Sequence, residues 1–452
     1  HFTVASTAAA WRRLCPDPSP LLGFDCAAPA ADAGQLLRRR AAVFADVQEH
    51  YYASPPQIER GWRHHLTDGD ARSYLDMVNN VTVLGHAHPA VARELSRQSR
   101  LVNTNSRFAY GALADFCERL VELAPDGLDQ VFLVNSGTEA TDLALRLAWA
   151  HTGRELVVAM SEGYHGWSAA ADAVSTSVAD NPAALETRPS WVRLIPVPEA
   201  ARTGADDIAC ALSTVARLVE AGEAPAALIC ESVRGNAGGV LLPPGYLKAV
   251  YAAVRDAGGV CIADEVQVGY GRLGRWFWGF EEQAAVPDVI TIAKSAGNGH
   301  PLGAVVTRRE IAESFASQGT FFSSTGGNPV SCRVGLAVLD ALAAERLQEN
   351  ARVVGEHLLA RLHELAAACP TIAAVHGVGL YAGVELARPD RPGEPAPALA
   401  AAVCERLLER GVIVQPTGDH LDVLKIKPPL CITRQSADFF VDQLDAVLTG
   451  GW

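Results

Sequence analysis

Along the middle of the chain, short runs of Val, Ile and Leu recur, most of them followed by text with the spacing of a helix. The runs are QVFLVN (130–135), ELVVAM (155–160), AALICES (226–232), GVCIADE (259–265), DVITIAK (288–294) and LGAVVT (302–307). Helical text such as TEATDLALRLAWAHT and GYLKAVYAAVRDAGG follows the first and third of these segments. A strand that is apolar at nearly every position is buried on both faces, so the pattern predicts a mainly parallel sheet between layers of helices. On either side the rhythm changes. From about residue 60 the text GWRHHLTDGDARSYLDMVNN predicts a short β-meander turning at Asp68-Gly69. Beyond about 345 come the helical text LQENARVVGEHLLARLHELAAAC, a glycine-punctuated strand GVGLYAGVEL (377–386), a helix at 398–410 and VLKIKPPLCIT (423–433). That is an α+β tail distinct from the central sheet. The first forty residues, rich in Ala and Pro and ending in Arg38-Arg39-Arg40, predict a linker or surface arm.

Composition narrows the class. At 452 residues the chain is too long for one ordinary core. Hydrophobic residues make up 49% and charged residues 20%, as in a well-buried globular protein. The net charge of −13 argues against nucleic acid as a partner, because phosphate backbones demand a basic face. A local pocket for a small anion stays open. The ten cysteines are scattered, without a CxxC or a Cys/His cluster, which points to a reduced cytoplasm and no metal. Apolar stretches are broken by Gly, Pro or charge well before the roughly 18 residues of a membrane span. No signal peptide is visible, and a start at His1 raises the expectation of a longer, multidomain chain.

Candidate chemistry sits at the strand ends. GVCIADE ends in Asp264-Glu265, and DVITIAK ends in Lys294. In an open α/β sheet ligands bind beyond the carboxyl ends of strands, so these opposite charges face one site. Either residue alone is explained as well by a surface charge at a loop start. A third element shifts the balance: Asn135-Ser136-Gly137-Thr138-Glu139 follows QVFLV and opens a helix, where free backbone N–H groups suit a phosphate. Alone, it serves equally as a helix cap. A lysine nucleophile, a buried carboxylate and a phosphate cradle in one crevice are what pyridoxal phosphate needs.

Seven separated motifs carry a resemblance: LGHAHP (84–89), SGTEA (136–140), YHG (164–166), ADEVQVGYGRLG (263–274), TIAKSAGNGHPLGAV (291–305), STGGNP (324–329) and KPPL (427–430). From about residue 45 to 450 the chain resembles the class-III aminotransferases, fold type I pyridoxal-phosphate enzymes. The resemblance implies a large domain (101–343) with a mainly parallel seven-stranded sheet between helices. It also implies a small α+β domain built from 45–100 and 344–452, with 1–44 as linker or arm.

Carried over position by position, it makes Lys294 the Schiff-base lysine, which also moves the substrate proton, and Asp264 the partner of the pyridinium nitrogen. Val266 packs on one ring face, Tyr164 stacks on the other with His165 and Gly166 beside it, and Gln267 donates to the ring hydroxyl. Ser136, Gly137 and Thr138 hold the phosphate. Thr325 reaches the phosphate of the neighbouring subunit, implying a homodimer with shared sites. Glu231 matches the acid of an EP-x-x-G segment, with Ser232 in place of the proline. His86 and His88 are explained equally well as cofactor neighbours or as a helix-entry turn before Pro89. Trp276 and Trp278 are expected in the core or an interface.

The reaction is set by the substrate side. Where amino-acid aminotransferases of this family have an arginine before PPL, this chain has Lys425, which lacks the planar fork that grips a carboxylate. The text LK-x-K-PP, with NTNSR (103–107) and GGNPVSC (326–332), resembles a phospho-lyase branch acting on phosphoethanolamine or phosphohydroxylysine. There Arg107, Lys425 and Lys427 would bind the substrate phosphate. Against this, Trp167 stands after YHG where that branch has histidine. Transamination of a primary amine or ω-amino compound is placed first, phospho-lyase chemistry second. A binding scaffold without turnover is third, and the retention of both Lys294 and Asp264 argues against it.

Overall fold

The computed structural model describes residues 33–48, 50–196 and 206–450. Its centre is the expected sheet of seven strands: β1 (Gln130–Val134), β2 (Val157–Met160), β3 (Val192–Ile195), β4 (Ala227–Glu231), β5 (Val260–Asp264), β6 (Val289–Ile292) and β7 (Gly303–Thr307), in spatial order β1-β7-β6-β5-β4-β2-β3. All neighbours are parallel except at β7, which runs antiparallel to both β6 and β1.

The continuous apolar runs are explained by what covers each face. On one side Leu143, Ala144 and Leu147 of helix α1 (Gly137–Thr152) pack on Val157, Ile229, Ile262 and Val289. On the other, Leu247, Val250 and Val254 of helix α2 (Tyr246–Asp256) pack on Val158, Leu228, Cys230 and Cys261. Alternate residues of each strand therefore serve opposite layers, and truncating one, such as Ile262→Ala, costs about 2–5 kcal/mol.

The flanking segments form two smaller sheets. Strands Ile58–Trp62, His65–Asp68 and Ser73–Asp76 make the expected meander, to which Val412–Ile413 adds in parallel, so the two ends of the chain meet. The turn departs from the Asp-Gly expectation. Asp68 Oδ1 accepts from the amides of Asp70 and Arg72, and the left-handed residue is Ala71 (φ 62°), not Gly69. The Asp68 side chain builds this turn itself. In the tail, GVGLYAGVEL is not one strand but a hairpin, Ile372–Val378 against Tyr381–Arg388, because Gly379 takes φ 59° at the bend. Strand Val423–Ile426 pairs with Tyr381–Arg388, in register Gly383 opposite Lys425.

Of the predicted N-terminal arm, residues 1–32 lie outside the described residues; its end is a helix, Ala33–Val43, with no buried residue. Among the described residues no helix is long and apolar enough to cross a membrane, and no group of three or more His, Cys, Asp or Glu is placed to hold a metal.

Candidate active site

β4 and β5 end side by side, with Glu231 opposite Asp264 in the parallel register. β6 ends at Ile292, two residues before Lys294, and β1 ends just before Ser136. The crevice beyond these ends has a volume of about 390 Å³ and is lined by Ser136, Gly137, Thr138, Tyr164, His165, Asp264, Val266, Gln267 and Lys294, among others. Nine of the expected site residues thus meet in one place. Larger hollows, of about 750, 810 and 520 Å³, lie elsewhere and contain none of them.

The floor of the crevice is a hydrogen-bonded charge pair. Asp264, 3% exposed, accepts from Val266 N at 3.0 Å through Oδ1 and lies 2.7 Å from His165 Nδ1 through Oδ2. Burial opposes protonation of His165, but the bond to Asp264 and its charge outweigh this and hold the imidazole pKa above its ordinary value. His165 Nε2 is buried without a partner among the described residues. Glu231 stands behind Tyr164: its carboxylate accepts from Tyr164 N at 3.2 Å and Gly235 N at 2.6 Å, and burial raises its pKa. Glu231 thus grips the Tyr164 backbone and is not among the residues lining the crevice.

At the cradle, Ser136 caps α1 by accepting from Glu139 N at 3.3 Å. The first amides of the helix, at Gly137 and Thr138, have no intrahelical acceptor and carry the positive end of the helix dipole. A Cβ at Gly137 would lie 3.3 Å from both methyls of Val266, so glycine keeps the floor open. Gly166 takes φ 138°, and a Cβ there would come 2.5 Å from Thr138 Oγ1, which already accepts from the amides of Trp167 and Ser168. The YHG segment is glycine-bearing because it presses against the cradle.

Lys294 begins a short 3₁₀ turn (Lys294–Gly297) with the unusual φ of 39°. Burial lowers its pKa; Asp264 opposes the shift and Lys425 adds to it. Lys425 and Lys427 arrive from Val423–Ile426 and the residue beyond it, on the Lys294 side. Burial lowers the pKa of Lys425, and that of Lys427 falls well below the usual range, through burial and then the charges of Lys425, Lys294 and Arg272.

The remaining expected residues lie apart. Arg107 is exposed, its guanidinium 4.0 Å from the Phe322 ring centroid, and Thr325 is exposed in the loop before helix Pro329–Ala344. His86 lies 2.7 Å from Asp76, and His88, also 2.7 Å from Glu345, caps helix Pro89–Ser99; neither lines the crevice. Trp278 is fully buried, donating to Leu123 O. Ser232, in the proline position, donates to Glu265 Oε1 at 2.6 Å; Glu265 also accepts from Gly279 N and Phe280 N, and burial pushes its pKa up to about 7. Asn80, whose side chain donates to Gln267, was not among the expected residues. Its polar pair Asn79-Asn80, interrupting apolar text before LGHAHP, was the available signal.

Known proteins bear on this arrangement directly. The family pattern described as aminotransferase class-III matches residues 47–448. The chain belongs to the class-III aminotransferase family. It is 39% identical over 433 residues to alanine–glyoxylate aminotransferase 2 homolog 2, mitochondrial, of Arabidopsis thaliana, covering 95% of this chain and 88% of that one. It is 33% identical to ethanolamine-phosphate phospho-lyase homolog 1 of Caenorhabditis elegans, covering 94% and 97%. Among solved structures, a phospholyase from Arthrobacter in complex with phosphoethanolamine superposes with a TM-score of 0.86 at 35% identity, covering 92% and 99%. This class-III aminotransferase is therefore a fold type I, pyridoxal-phosphate-dependent enzyme acting on a small-molecule amine. The residues fit that cofactor. The cradle has free helix-start amides and no Cβ at Gly137, and the floor has a buried carboxyl group hydrogen-bonded to the His165 imidazole.

Proposed function

We propose that this enzyme transfers an amino group from a primary amine or ω-amino compound to a keto acid or aldehyde. The carrying observation is the meeting of Lys294 with the Asp264–His165 pair beneath the Gly137 cradle. The amides of Gly137 and Thr138 and the Ser136 turn hold the phosphate. Val266 and Tyr164 would flank the ring, and the Gln267 amide would donate to its hydroxyl. Pyridoxal phosphate, when bound, supplies an aldehyde that takes up amines and a ring that accepts electrons from the adjacent carbon. Asp264, oriented by His165, keeps the ring nitrogen protonated. Lys294 would hold the aldehyde between turnovers, and its Nζ would serve as the base and acid that moves the substrate proton. Its lowered pKa makes the free base accessible nearer neutrality.

Residues 101–343 act as the cofactor domain, with 45–100 and 344–452 forming the small domain. Two copies pair so that the partner's Thr325 reaches this crevice, in accord with the exposure of that loop. A cytoplasmic setting accords with the eight free cysteines among the described residues.

A second reading, phospho-lyase, is favoured by Lys425. It stands near Lys294 without an arginine fork, where a substrate phosphate one carbon from the amine would meet a point charge. One paired assay decides: phosphate release from phosphoethanolamine against amino transfer from alanine or an amine to pyruvate or 2-oxoglutarate. Keto-acid consumption without phosphate release is expected. Phosphate release without keto-acid consumption would replace the first reading by the second.

A further inference from the structure

Gln267 lines the crevice, but its carbonyl oxygen is turned away into the protein. Two donors converge on Oε1: Asn80 Nδ2 at 2.6 Å and Lys427 Nζ at 2.9 Å. Both are buried, Asn80 at 4% and Lys427 at 2% exposure. They come from opposite ends of the chain, 187 residues before and 160 residues after Gln267. Their backbones are fastened together as well, Lys427 N donating to Met77 O at 2.7 Å and Leu430 N to Val83 O at 2.8 Å. An amide whose oxygen accepts two hydrogen bonds on one side has its N–H pair directed to the other, here toward the crevice.

We propose that Lys427 and Asn80 are positioning residues that lock the Gln267 amide with its donors facing the cofactor ring, so that docking of both chain ends completes the crevice. This rests on cofactor binding in that crevice and not on which reaction follows. It changes the role expected of Lys427. Its amine donates to Gln267 and interacts with the Lys425 side chain, so a substrate anion would be met by Lys425 rather than by Lys427. The lowered pKa of Lys427 fits this use, since an amine donates a hydrogen bond to a neutral carbonyl without needing a counter-charge.

The test uses the holoenzyme and reads the bound cofactor rather than turnover. Lys427→Met and Asn80→Asp are each made alone and in a Gln267→Leu background. The pH titration of the cofactor absorbance band and the rate of cofactor loss are then measured. Each single variant should shift the titration and speed loss about three- to tenfold, the scale of one hydrogen bond. In the Gln267→Leu background neither should add anything, because the side chain they act through is gone. Equal effects in both backgrounds, or folded single variants with unchanged spectra, would overturn the proposal. If Lys427→Met does not fold, Asn80→Asp carries the same test, since it keeps the volume and turns a donor into an acceptor. A wild-type protein that binds no cofactor would instead remove the reading on which the proposal rests.

Discussion

Two groups of charged residues bound the crevice, and they are compensated in opposite ways. On the floor, Asp264 and Glu231 have each carboxylate oxygen met by a donor: His165 and Val266 for one, Tyr164 and Gly235 for the other. On the wall, Lys427 is buried among the like charges of Lys425, Lys294 and Arg272, burial outweighs the pull of Asp180 and Glu231 on Lys425, and among the described residues neither lysine forms an ion pair with a carboxylate. A buried charge lacking such partners is costly, and each lysine's pKa is pushed down accordingly. The two carboxyl groups of the floor are thus satisfied by protein donors alone. The wall is partly completed by Gln267 and partly, at Lys425, by whatever anion the substrate brings.

The sharpest way to break this comparison is to remove the amine that stands between floor and wall. Lys294→Ala should lower turnover about a thousandfold or more, measured as kcat with saturating amine. If Lys425 or Lys427 substituted for it, activity would survive, and the separation of roles would fail. Asp264→Asn keeps the shape of the floor but removes its charge. The expected loss in kcat is about a hundred- to a thousandfold, and the His165 pKa, which Asp264 raises, should fall, as followed by NMR.

A subtler probe acts on the wall. Lys425 is a like charge that helps lower the Lys294 pKa, so removing it raises that pKa. Less free amine is then present at a given pH. In Lys425→Met the rate of cofactor uptake by apoenzyme should therefore rise with pH at a higher midpoint than in wild type; an unchanged midpoint would show that the wall does not tune the floor. The smallest effect belongs to the cradle. Ser136→Ala removes a helix cap and should cost about 0.5–2 kcal/mol of stability, read as a lower denaturant midpoint with an unchanged slope.

The two regions also differed in how plainly the sequence announced them. The floor was legible because it is local. Each of its residues ends or follows an apolar run, and strands buried on both faces put Asp264, Lys294 and Ser136 at one edge of one sheet. The wall was legible only as chemistry. Alternation in LKIK brought Lys425 and Lys427 to one side, yet nothing in that text indicated that Lys427 would be spent on Gln267. That contact depends on Asn80 and on the pairing of residues 77–83 with 427–430, a long-range packing that no local pattern encodes. The same limit explains Glu231, which holds the Tyr164 backbone, and the hairpin at Gly379, where one backbone angle divides a run that reads as a single strand.

Three lysines influence one another's charge here, only Lys294 lines the crevice, and the central claim assigns the cofactor to it. Borohydride reduction of the purified holoenzyme, followed by digestion and mass spectrometry, fixes the cofactor to the amine that holds it. The account predicts a pyridoxyl group on Lys294 and on no other lysine. The group on Lys425 or Lys427, or no group at all on a coloured protein, would contradict it.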